Sequence, residues 1–254
     1  MLVQTGDNVG IGGFIITGTA PKDVIIRAIG PTLTRFGITD PLADPVLELH
    51  GPAGFSTIVN NNWRDTQEDE IQATGIPPTD DLESAIVATL VPGAYTAIVR
   101  GNGGTSGVAL VEIYDLNQLV DSKLANLSTR AFVSIGDDIV IAGFQLSNIV
   151  GFDRIVVRGI GPSLAPALPA SAVLANPSLE LRDSNGALLI ANNDWQDNGV
   201  QAALITALGL APTNNLESAV AAELPPGLYT ALLTGLNGGT GIGVVEVYDL
   251  GVAP

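Results

Sequence analysis

The chain contains no cysteine, so disulfides, thiol catalysis and thiolate metal sites are excluded. It has one histidine, His50, and the second half of the chain carries Arg182 at the corresponding place. A Ser-His-Asp triad or a histidine-based metal centre is therefore disfavoured. Basic residues are scarce: 10 Lys and Arg stand against 26 Asp and Glu, a net charge of −16. Nucleic acid and anionic membrane surfaces are poor partners for such a chain, because binding phosphate needs clustered Lys and Arg. Divalent cations suit the acidity, and so does plain solubility. Aromatic residues make up 5%, with Trp63 and Trp195 the only tryptophans. No run of about 18 apolar residues is present for a membrane helix, which argues against membrane insertion. Met1–Thr5 lacks the basic start and apolar stretch of a signal peptide.

What the chain does have is glycine (30), proline (16) and a hydrophobic share of 46%. That mixture suits many short strands joined by tight turns and does not suit disorder. It also says nearly the same thing twice. Gly30-Pro31, the Pro45–Leu49 strand, Asn60–Trp63, Leu82–Ala85, Pro92–Thr96 and Val111–Leu116 return as Gly161-Pro162, Pro177–Leu181, Asn192–Trp195, Leu216–Ala219, Pro226–Thr230 and Val245–Leu250. A period of about 130 residues is too long for a solenoid, so each copy should own its core. The expected organisation is a repeat over 1–118, a polar linker over 119–130 and a second repeat over 131–254.

Within a copy, β-branched runs alternate with turn residues. Val9–Thr17, Val24–Ile29, Val46–His50, Ala85–Leu90, Tyr95–Gly101 and Val108–Tyr114 read as strands, with Pro92-Gly93 and Gly101–Gly104 as turns. Asn185-Gly186 between apolar runs is a hairpin signal. One segment per copy breaks the pattern: Val200–Leu208, closed by Gly209, and Thr66–Thr74, closed by Gly75, read as short helices. The fold class is all-β: two tandem antiparallel β-sandwich domains, jelly-roll-like, each with one short helix.

Asp44–Leu49, Asn60–Trp63, Leu82–Ala85 and Val91–Thr96, with their better-matching twins Asn176–Asp183, Ala191–Asp194 and Leu224–Thr230, resemble the bacterial pre-peptidase C-terminal type of β-sandwich. The resemblance covers the last two-thirds of each copy. Strands around Arg27–Pro31 and Arg158–Pro162 lie outside it. It implies secretion, a non-catalytic accessory role, and contact with calcium or polysaccharide in some members. It does not imply one biochemical activity.

The best candidate site is the Asn/Asp/Trp segment. Asn62 and Asp65, with Asp194 and Asp197, offer hard oxygens of the kind calcium takes. The structural alternative is that Asp65 and Asp197 cap the following helices. Trp63 and Trp195 either stack on sugars or bridge helix and sheet. Glu83 and Glu217 either complete a cation site or pair with Arg27 and Arg158. The glycine clusters Gly10–Gly13 and Gly101–Gly107 read as turns or bulges, since neither precedes a helix or a Lys-Ser/Thr.

The leading expectation is a non-enzymatic extracellular structural or adhesive repeat protein, a subunit of a surface assembly or filament. The alternatives are a calcium- or glycan-binding accessory module of a secreted enzyme, and a hydrolase using paired carboxylates. No cofactor is expected beyond calcium; the expected partners are further copies of the chain, with polysaccharide second. The second copy has a lead-in, Leu124–Arg130, that the first lacks, so the chain reads as a piece of a longer secreted protein. On the same ground, Leu2 and Val3 form an unbraced opening strand. A neighbour's tail around Val247 and Tyr248 would complete it head to tail.

Overall fold

The computed structural model describes residues 1–136, 138–147 and 151–252. The chain divides into unit 1, Met1–Leu127, and unit 2, Ser128 onwards. Unit 1 holds β1 (Leu2–Val3), β2 (Gly10–Gly18), β3 (Lys22–Ile29), β4 (Pro45–His50), β5 (Ile58–Asn60), α1 (Glu68–Ala73), β6 (Ser84–Leu90), β7 (Gly93–Gly101), β8 (Gly107–Val108) and β9 (Leu110–Asp115). Strand β10 (Ser122–Val133) runs across the boundary. Unit 2 holds β11 (Val140–Leu146), β12 (Asp153–Ile160), β13 (Pro177–Asp183), β14 (Leu188–Asn192), α2 (Gly199–Ala207), β15 (Ser218–Leu224), β16 (Gly227–Gly235) and β17 (Gly241–Val252). The all-β expectation holds.

In unit 1 one sheet runs β2-β7-β4-β5 and another β6-β3-β9; in unit 2 the counterparts are β11-β16-β13-β14 and β15-β12-β17. The matching registers are antiparallel: Phe14 faces Tyr95 across β2 and β7, and Phe144 faces Tyr229 across β11 and β16. Both sheets of unit 1 feed one core, with Phe14, Leu47, Leu49 and Val99 from the first and Val24, Ile26 and Ile86 from the second. In unit 2, Gly159 of β12 lies against Leu233 of β16 and Leu179 of β13.

The continuous apolar run of β3 has a simple cause. Val24 and Ile26 face the core, whereas Ile25 packs on the opposite face with Trp63, Ile71 of α1 and Ala85. A strand covered on both faces loses the apolar–polar alternation that marks a half-exposed one. Unit 2 repeats this layer with Val156, Trp195, Ile205 and Ala219.

The expected linker over 119–130 is a correction. Most of it is strand, because Ser122–Leu127 forms the first half of β10 and lies beside β2. Leu124 and Leu127 pack on the unit 1 core. The Asp121 carbonyl accepts the N–H of Thr19 and Ala20, and its carboxylate accepts the Thr19 hydroxyl at 2.6 Å. A Cβ on Gly18, whose φ is +109°, would sit 2.2 Å from that carbonyl, so only glycine lets the strand approach.

Candidate functional site

The residues that recur in both units converge on braces inside each unit. Glu83 and Glu217 are fully buried. The Glu83 carboxylate accepts the backbone N–H of Gly30 at 3.2 Å, Thr32 at 2.9 Å and Asp80 at 3.4 Å. Glu217 accepts from Gly161 N at 3.1 Å, Ser163 N at 2.8 Å and the Ser163 hydroxyl at 2.8 Å. The Gly-Pro turn is thus a small nest of N–H groups, the geometry that binds anions, already filled by the protein's own carboxylate. Glycine is required at its first position, since a Cβ there would lie 2.0 Å from the carbonyl of Leu42 or, in unit 2, Leu174. Neither glutamate pairs with Arg27 or Arg158, so that expectation is corrected.

Those arginines bind elsewhere. Arg27 donates through Nε to Glu112 at 2.9 Å, through Nη1 to the Ile76 carbonyl at 2.6 Å, and lies over the Tyr114 ring. Arg158 does the same with Glu246 at 2.8 Å, the Leu210 carbonyl at 3.1 Å and Tyr248. Each joins neighbouring strands to the loop beyond the helix.

In the Asn/Asp/Trp segment, the first asparagine is the brace. Asn60 Oδ1 accepts Ala85 N at 3.0 Å, and Asn192 Oδ1 accepts Ala219 N at 3.0 Å. Two residues along, Gln67 exchanges a pair of hydrogen bonds with Val87, and Gln201 with Ala221. Side-chain amides therefore occupy alternate positions on the outer edges of β6 and β15.

Asn62 donates to Asp65 Oδ2 at 3.2 Å. Asp194 Oδ2 accepts from Asn193 at 3.0 Å, and its carbonyl accepts the Asp197 N–H at 3.0 Å. These are local turn contacts. Among the described residues, no group of three or more His, Asp or Glu side chains is placed to hold a metal ion. Helix capping is also reassigned: Asn198, not Asp197, caps α2 through Val200 N and Gln201 N, and Gln67 precedes α1 without a side-chain cap. Trp63 is 2% exposed and Trp195 7%, so neither presents a ring face to a sugar. A surface depression lies at Arg182, Asp183, Ser184, Gly186, Leu228 and Thr230.

Leu2 and Val3 pair with Val108 and Gly107, and Val247 and Tyr248 pair with Val157 and Val156 of their own unit. The opening unit is not the one short of a strand, because Ser122–Leu127 braces it. Ala253 and Pro254, part of the expected connecting tail, lie outside the described residues.

All four tyrosines are held above the ordinary phenol value of 10.0. Burial is the first cause at each, aided by Asp183 at Tyr229, by Glu112 at Tyr114 and by Glu246 at Tyr248; Arg27 and Arg158 oppose it at the last two. Tyr95 and Tyr229 also donate to the carbonyls of Val91 and Pro225 at 2.8 Å. A raised folded-state pKa favours the protonated form. This stabilisation is complete below the unfolded value and is lost as pH rises through the folded ones. Ultraviolet titration should show less phenolate at pH 10 in the folded chain than in the urea-unfolded chain. Coincident folded and unfolded titration curves, both centred on the value of about 10 for exposed tyrosine, contradict this.

No family model matches the chain, and no curated protein matches it. Among solved structures it is similar to the STIV MCP, at 11% identity and a TM-score of 0.25, over 100% of this chain and 95% of that one. It is also similar to a chain of Sulfolobus Turreted Icosahedral Virus (10%, 0.27, 100% and 89%) and to the major capsid protein P2 from Bacteriophage PM2 (8%, 0.24, 98% and 97%). TM-scores this low do not establish a common fold.

Proposed function

We propose that the chain is a non-enzymatic structural module that self-associates. One observation carries this reading: the polar residues duplicated between the units are turned inward as braces. Glu83 and Glu217 fill their own backbone nests, Arg27 and Arg158 clamp strands, and Asn60, Asn192, Gln67 and Gln201 close sheet edges. Duplication has kept a scaffold twice. The extracellular setting rests on the resemblance of the repeat to domains of secreted proteins.

Sedimentation velocity over a concentration series tests the proposal. Species larger than the monomer should grow with concentration. Added salt should promote them, because screening weakens the repulsion between chains of net charge −16. A single monomeric boundary at every concentration and salt level overturns it.

A further inference from the structure

The two units differ in one respect that their shared fold does not require. In unit 1 the outer edge of β2 is covered by Ser122–Leu127. In unit 2 the equivalent strand, β11, ends its sheet, and among the described residues no strand lies beyond it. The side chains record the difference. Ile11, Gly13 and Ile15 are half-buried, while Ile141, Gly143 and Gln145 are exposed. Phe14 and Ile16 are 1% and 2% exposed; Phe144 and Leu146 rise to 8% and 7%.

β11 also lacks the usual protection of an open edge. Such edges in soluble proteins carry charge, proline or a bulge, or are very short. Val140–Leu146 has no charged residue and no proline, and its seven residues pair with β16 in unbroken register. The contrast with β6 and β15 is direct, because amide side chains block those edges at alternate residues.

We propose that the outer edge of β11 is an acceptor for an added strand. Its occupant is the Ser122–Leu127 segment of a second copy of this chain, exchanged out of that copy's own unit 1. Unit 1 displays the chemistry of that occupant: it starts beside the C-terminal end of its acceptor strand, so it runs antiparallel, and it sets two leucines on the core. Charge agrees. Ser122–Leu127 contains Lys123 and no acid, whereas unit 2 has four basic residues against eleven acidic ones. Main-chain hydrogen bonds would supply affinity and the leucine positions specificity, the division of labour in strand addition. This inference rests on the self-association proposed above and names the contact through which it runs.

The test uses a synthetic peptide with the sequence of Ser122–Arg130 and the full chain. Hydrogen exchange of residues 140–146 is followed by mass spectrometry. At a peptide concentration ten times its Kd, exchange that requires release of the peptide should slow about tenfold. A peptide with Asp at both leucine positions should give no protection. Saturating peptide should also disperse any polymers seen by sedimentation.

Unprotected β11 amides at saturating peptide overturn the proposal, as does equal protection by the Asp-substituted peptide. Protection that grows with protein concentration alone, unaffected by peptide, assigns the edge to direct β11–β11 pairing and overturns the stated occupant. The two readings fail separately. A chain that stays monomeric but binds the peptide at β11 removes the self-association reading alone. Polymers that persist with β11 saturated remove the contact alone.

Discussion

Replacing Glu83 with alanine should destabilise unit 1 by about 4 kcal/mol, because three backbone N–H groups lose their acceptor in a buried setting and each such loss costs about 1–3 kcal/mol. Glu83→Gln should recover most of this. Its remaining oxygen keeps Gly30 and Thr32, while the new amide meets the Asp80 N–H and loses that bond. Glu217→Ala should weaken unit 2 by slightly less, since the Ser163 hydroxyl already reaches Thr213 Oγ1 at 2.6 Å. Urea unfolding followed by exchange mass spectrometry resolves the two units. A change below about 1 kcal/mol for Glu83→Ala, the size of one ordinary hydrogen bond, would mean that the carboxylate does not hold the turn.

The second large effect is asymmetric. Lys22 is fully buried, and among the described residues its ammonium donates to Asp115 Oδ2 at 2.9 Å and the Asn117 carbonyl at 2.8 Å. Asp115→Ala leaves that charge in the interior with one neutral acceptor. It should cost about 3–5 kcal/mol, as breaking buried pairs from one side does. Lys22→Met should cost much less, because Asp115 is 21% exposed and water can solvate it. The double variant should regain most of the stability lost in Asp115→Ala. A benign Asp115→Ala alongside a severe Lys22→Met would reverse the account. Unit 2 provides an internal contrast: Asp153 stands where Lys22 does, each facing the closing leucine of its neighbour strand, Leu224 or Leu90.

Much of the fold was legible in the residues. β-Branched runs and Gly/Pro turns marked the strands to within a residue or two, because local sterics alone place them. The helix over Val200–Leu208 was readable from its closing Gly209, although its cap is Asn198 and not Asp197. Residues whose partners are distant backbone were not legible. Glu83 reads as a spare carboxylate until folding brings the Gly30 turn, some 50 residues away, against it. Ser122–Leu127 reads as a polar linker because two of its buried positions, Ser122 and Asn126, are polar. An edge such as that of β11, beyond which no strand lies among the described residues, leaves no trace in composition, since it depends on which strand arrives there.

The position of β10 has a consequence for the order in which the protein is made. The motif series of the first repeat ends at Leu116, but unit 1 is closed by residues that follow it, Ser122–Leu127. During synthesis from the N-terminus, every core strand of unit 1 can emerge and pair while β2 still waits for its neighbour. The last stitch in that unit is therefore the first stretch of chain leading into the next. A gene fragment trimmed at the visible motif border would encode a domain with β2 laid open on that side.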